Sequence, residues 1–141
     1  KVRFMDEFLT YLKGLRERAA ADGREVVVCG DWNIAHQQAD LKNWRGNQKN
    51  SGFLPEERAW LTHVFDELGF VDVFRRVDVR PDQYTWWSNR GQAWTKNVGW
   101  CIDYQVATPG IAATARAASI YKNRRFSDHA PLIIDYDFEI K

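Results

Sequence analysis

Apolar side chains at Val2, Met5, Phe8, Leu9, Leu12 and Leu15 repeat at helical spacing, with Lys13, Arg16, Glu17 and Arg18 on the other side. The glycine of "ADGR" supplies a stop, so the spacing predicts a helix already running at residue 1. "REVVVCGD" follows, a short β-branched run that reads as a buried, central strand. From Gln37 to Gly52 the chain is polar and has neither period, which predicts a loop with one helical turn near "QQADL". In "LPEERAWLTHVFDELGF" the pattern turns helical again: Pro55 suits a first turn, and Trp60, Leu61, Val64, Phe65 and Leu68 make a stripe that Gly69 ends. "VDVFRRVDVRPDQ" then turns over to the strand "YTWWS", followed by strands in "CIDYQVATP", "ARAASIYKN" and the alternating "APLIIDYDFEI". A helix leading into a strand indicates α/β. Helices early and strands late predict strand pairs that are mostly antiparallel.

Composition narrows the class. A chain of 141 residues suits one domain, and 45% hydrophobic with 28% charged residues is ordinary for a globular protein. The net charge of +1 excludes a wholesale polybasic protein, so any nucleic-acid contact must use localised cations. No apolar run approaches the roughly 18 residues of a membrane span, and "KVRFMDEF" lacks a signal-peptide core. The expected location is cytoplasmic (nucleoid-associated) or nuclear. Cys29 and Cys101 have neither metal-site spacing nor disulfide-scaffold density and read as reduced core residues. Three of the seven tryptophans stand in "YTWWSNRGQAW", a cluster that needs a reason. The absent initial methionine, with a helical pattern already under way, leads to the expectation that this is a piece of a longer protein.

Chemistry-bearing residues fall at the ends of these elements. Asp31 and Asn33 follow the first strand, Asp103 lies in "CIDYQV", and Asp128 and His129 precede the last strand. Strand ends hold side chains firmly while loops leave them accessible, so three acids, an amide and a histidine can converge. That set suits hydrolysis at phosphorus: a carboxylate for water, an amide for water or phosphate, a histidine for developing charge, and a hard cation on carboxylate oxygens. Asp103 is the candidate to raise the histidine's proton affinity. Each motif also has a plainer reading. "GDWN" and "SDH" are ordinary turn chemistry, since Asp and Asn form Asx turns. A carboxylate between Ile102 and Tyr104 is harder to dismiss, because burying one without a partner is costly. His63 reads as a surface residue of its helix and His36 as a loop hydrogen bonder.

"GDWNIAH", "NWRGNQKNSGF", "YTWWS", "KNVGWCIDY" and "SDHAPL", in this order and spacing, closely resemble the exonuclease III family of abasic-site DNA endonucleases, within the endonuclease/exonuclease/phosphatase superfamily. The resemblance implies half of a four-layered α/β sandwich, a mostly antiparallel or mixed sheet with helices on one face; residues 1–141 would be the C-terminal half. It implies that Asp31 aligns or deprotonates the water, that Asn33 bonds the nucleophile or the scissile phosphate, and that His129, paired with Asp103, contacts that phosphate. Asp128, with Asp31 and Asn33, would lie in an Mg²⁺ (or Mn²⁺) site. The family's glutamate ligand, a neighbouring asparagine and a phosphate-site tyrosine belong to the other half, so the chain alone is expected to be inactive.

A DNA partner carrying an abasic site or a 3′ end is implied too. "NWRGNQKN" offers Asn43, Arg45, Asn47, Lys49 and Asn50 to phosphates, and Lys96 and Asn97 precede Trp100. Trp86, Trp100 and Ile102 would wall a pocket for a flipped sugar; without the resemblance, Trp86 and Trp87 read as strand residues, one to each face. Arg124 and Arg125 read as backbone contacts or merely exposed cations. Phosphatases and phosphodiesterases acting on lipids or RNA share the same end motifs, and a non-catalytic nucleic-acid-binding fragment is the other alternative. A half-sandwich also leaves a sheet face uncovered, which leads to the expectation of a homodimer or a rearranged pairing across it.

Overall fold

The computed structural model describes residues 1–140. The first helix, α1 (Val2–Asp22), buries Met5, Leu12 and Ala19 along one line and ends at Gly23, whose positive φ of 65° lets the chain turn back. β1 (Val27–Asp31) pairs antiparallel with β5 (Asp103–Ala107), and β5 pairs antiparallel with the two-residue β2 (Val71–Asp72), giving the order β1-β5-β2. α2 (Pro55–Asp66) packs beside α1 on one face of this sheet. Met5, Leu12, Ile34, Leu61, Val64, Phe70, Tyr104 and Val106 form the core between helices and sheet. Because side chains alternate along a strand, Tyr104 and Val106 facing that core leaves Asp103 and Gln105 on the opposite face.

Two smaller ribbons complete the fold. β3 (Trp86–Trp87) pairs with β4 (Gly99–Trp100), and β6 (Ala115–Ile120) pairs with β7 (Leu132–Tyr136). Every strand pair among the described residues is antiparallel, as the order of helices and strands predicts. The segment after Phe70 does more than turn over: it contains β2 and a one-turn helix α3 (Val73–Val77), capped by the Asp72 carboxylate accepting from the Arg75 N–H at 3.3 Å. A further turn, α4 (Pro109–Ala112), follows β5. The loop from Gln37 holds two 3₁₀ turns, Gln38–Asp40 where a turn is expected and Trp44–Asn47 where none is.

Two expectations fail. β1 is an edge strand, paired with β5 alone, and Cys29, Gly30 and Asp31 are exposed. The run of valines, Val26 to Val28, is only half-buried, so it meets the core at one end of the strand and leaves the other end open. Cys29 is therefore an exposed thiol, while Cys101 is buried as expected.

Candidate active site

Antiparallel register places Asp31, the last residue of β1, directly opposite Asp103, the first of β5. Beyond Asp31 the backbone turns sharply: Asn33 has φ 53°, and its N–H donates to Asp31 Oδ1 at 2.8 Å. The plainer reading of "GDWN" as an Asx turn thus holds, and the turn itself presents Asp31 and Asn33 to solvent.

His129 comes from the loop before β7, held by the backbone around β3. The Trp87 N–H donates to the Asp128 carbonyl at 3.0 Å, the Ala130 N–H donates to the Thr85 carbonyl at 2.8 Å, and Trp86 bridges to His129. His129 Nδ1 then lies 2.9 Å from Asp103 Oδ2, and its Nε2 lies 3.8 Å from Asp31 Oδ2. Partial burial works against the imidazolium, but the Asp103 hydrogen bond and charge, aided by Asp31 and Asp128, carry its pKa above the ordinary histidine value. Burial raises the Asp103 carboxyl, against the pull of hydrogen bonds from His129 and Thr85. One donor atom from each of Asp31, Asp103 and His129 lies within 4.8 Å of the others, an arrangement able to hold a cation.

Asp128 stands outside that group of three. Its Oδ2 accepts from the Trp86 indole at 3.1 Å and its Oδ1 from the Ser127 hydroxyl at 3.3 Å. The indole bond is the main reason its carboxyl lies below the usual range. A pocket of about 260 Å³ opens next to the site, lined by Trp86, Trp100 and Ile102 with Asn33, Gly52 and His129. The two indoles meet edge-on at 6.4 Å. Gly52 is required here: it has φ 101°, and a Cβ on it would lie 2.8 Å from the Trp100 ring.

The other candidate residues divide. Asn43, Lys49 and Asn50 are exposed, and the loop orders itself through Asn47 Nδ2 donating to the Asn43 carbonyl at 2.8 Å and Asn50 Nδ2 to Asn47 Oδ1 at 2.9 Å. Lys96 is exposed. Asn97 instead uses its amide inside the fold, accepting from the Trp87 indole at 3.0 Å and donating to the Asp82 carbonyl at 3.2 Å. His63 is exposed, and His36 bonds the Thr62 hydroxyl at 2.8 Å, as expected of each. Sequence reasoning misses Thr85, fully buried, whose Oγ1 accepts from the backbone N–H groups of Ile102 at 3.1 Å and Asp103 at 3.2 Å. A threonine before two tryptophans in a strand carries no signal of that role.

Residues 2–129 match the Endonuclease/Exonuclease/phosphatase family. The chain belongs to that family. It is 42% identical over 131 residues to the DNA repair nuclease APEX1 of Danio rerio, covering 91% of this chain and 40% of the relative. It is 39% identical over 135 residues to the exodeoxyribonuclease of Bacillus subtilis, covering 94% and 50% respectively. A Neisseria 3′ phosphatase solved with a product DNA hairpin superposes with a TM-score of 0.81 at 27% identity, over 93% of this chain and 52% of that one. This family member therefore spans about half the length of the curated relatives it matches.

Proposed function

We propose that this chain is one half of a DNA repair nuclease that hydrolyses phosphodiester bonds at abasic sites or 3′ ends of duplex DNA. The observation that carries the reading is the His129–Asp103 pair set across from Asp31, beside the pocket of Trp86, Trp100 and Ile102. In this reading Asp31 orients the attacking water and takes its proton, and Asn33 bonds the water or the phosphate. His129, whose proton affinity Asp103 raises, faces the phosphate oxygens and balances their developing charge. The apolar pocket suits a sugar that has lost its base, and Asn43, Lys49, Asn50 and Lys96 suit the phosphates around it.

The donors fit Mg²⁺ or Mn²⁺ through oxygen ligands: Asp31 is the exposed carboxylate of the group with Asp103 and His129, and the exposed Asn33 amide lies two residues on. Asp31 and Asn33 would hold the ion, with Asp128 at the rim, and it would supply charge stabilisation at the phosphate. Too few carboxylates are present for strong binding, which supports the further reading that the chain acts only with a second half. β1 offers an unpaired edge with grooves of about 520 and 310 Å³ along it, and the exposed Phe126 borders the smaller one. Pairing with a second copy across this face is the alternative.

Reconstitution tests the reading. The chain is combined with the missing half, by fusion or in trans, and given a duplex containing one abasic site with Mg²⁺. Incision that appears only in the combined sample is expected; its failure to appear removes the nuclease reading.

A further inference from the structure

Trp87 and Trp94 do not belong to the pocket at the candidate active site. Trp86 faces that pocket, while Trp87, its neighbour in β3, points to the other face and meets Trp94 edge-on at 4.6 Å. A second cavity of about 500 Å³ opens there, lined by Trp87, Trp94, Thr95, Asn97 and Lys122. Arg125 is held beside it: its guanidinium lies over the Trp94 ring at 4.9 Å, with Nη2 donating to Asn89 Oδ1 at 3.1 Å. Lys122 and Arg125 are exposed, and neither forms an ion pair among the described residues.

Two unneutralised cations around a rigid aromatic wall form a phosphate-binding surface, because a guanidinium already held in place loses little freedom on binding. The wall is coupled to the candidate site through backbone, since Trp87 N–H holds Asp128 and the Trp87 indole holds Asn97. We infer that Lys122 and Arg125, braced by Trp94, form a second contact for the phosphate backbone of duplex DNA, on the far face of β3 from the sugar pocket. The inference rests on the DNA-nuclease reading. It accounts for the third tryptophan of "YTWWSNRGQAW" and for the "KNRR" run, neither of which the hydrolytic chemistry uses.

The test is binding of the intact protein to an undamaged duplex of about 30 base pairs over a series of salt concentrations. Lys122→Gln with Arg125→Gln keeps the stems and removes both charges, and Lys13→Gln with Arg18→Gln removes two exposed cations of α1 as the control. The first pair is expected to weaken binding about tenfold and to lower the slope of log affinity against log salt by about 2, while the control does neither. Equal effects of the two pairs, or loss of inorganic phosphate binding with duplex affinity intact, would overturn the inference. Incision of an abasic duplex by the unsubstituted, reconstituted protein is read separately, so failure of the nuclease reading is distinguishable from failure of this one.

Discussion

His129 and Asp103 meet at 2.9 Å although 26 residues separate them, and the register of β5 against β1 sets Asp31 on the other side of the same imidazole. The shift of His129 above the ordinary histidine value has a sign that can be checked. Its charge is present at low pH and lost as pH rises through the raised pKa, so phosphate binding should weaken across that window. In Asp103→Asn the partner charge is gone and the midpoint moves to lower pH. An NMR titration of the imidazole protons reads this directly; an unmoved midpoint would contradict the pairing.

Asp31→Asn separates chemistry from folding. The amide oxygen can still accept the Asn33 N–H, so the turn survives, while the proposed base is lost. Reconstituted cleavage should fall by about 10²-fold or more with the melting temperature unchanged.

Thr85→Val leaves the backbone N–H groups of Ile102 and Asp103 without their buried acceptor. A loss of about 1–3 kcal/mol is expected by denaturant unfolding. Thr85→Ser should restore most of it.

Gly52→Ala should lower stability and narrow the pocket between Trp86 and Trp100, since the new methyl meets the Trp100 ring and the backbone has positive φ. Tryptophan fluorescence and melting temperature are the readouts, and no change in either would count against the close approach.

Asp72 is shifted from 3.8 to about 7, chiefly by burial and then by the Asp40 charge. The native carboxyl therefore holds its proton where the unfolded one has released it. Stability from this group is fully present below about pH 4 and is lost as pH rises toward 7. Asp72→Asn, which can still cap α3, should flatten that fall and gain about 1–2 kcal/mol at pH 8, after allowing for partial exposure. Unfolding curves at pH 5 and pH 8 test it.

Much of the site was legible along the chain because turn chemistry is local. Asp and Asn after a β-branched run, and Asp-His before an alternating one, mark strand ends whatever the fold. Helix α2 was equally legible, since Pro55, Glu57 and the Leu61/Val64 stripe specify start, cap and buried face within one segment. Glu57, 2% exposed, caps by accepting from the Gly52 N–H at 2.7 Å and the Leu54 N–H at 3.1 Å.

What the sequence by itself determined is the two long helices, the main strands, the antiparallel character of the pairing and a set of candidate residues for phosphate chemistry, because periodicity and capping act over a few residues. Tertiary structure alone decided that β1 is an edge, that Asp128 stands outside the group of Asp31, Asp103 and His129, and that Thr85 holds the start of β5. Those outcomes depend on which strand lies beside which, and on Thr85 and the β3 backbone clamping distant segments together. Such contacts are made between residues far apart in the chain, and no local pattern encodes them.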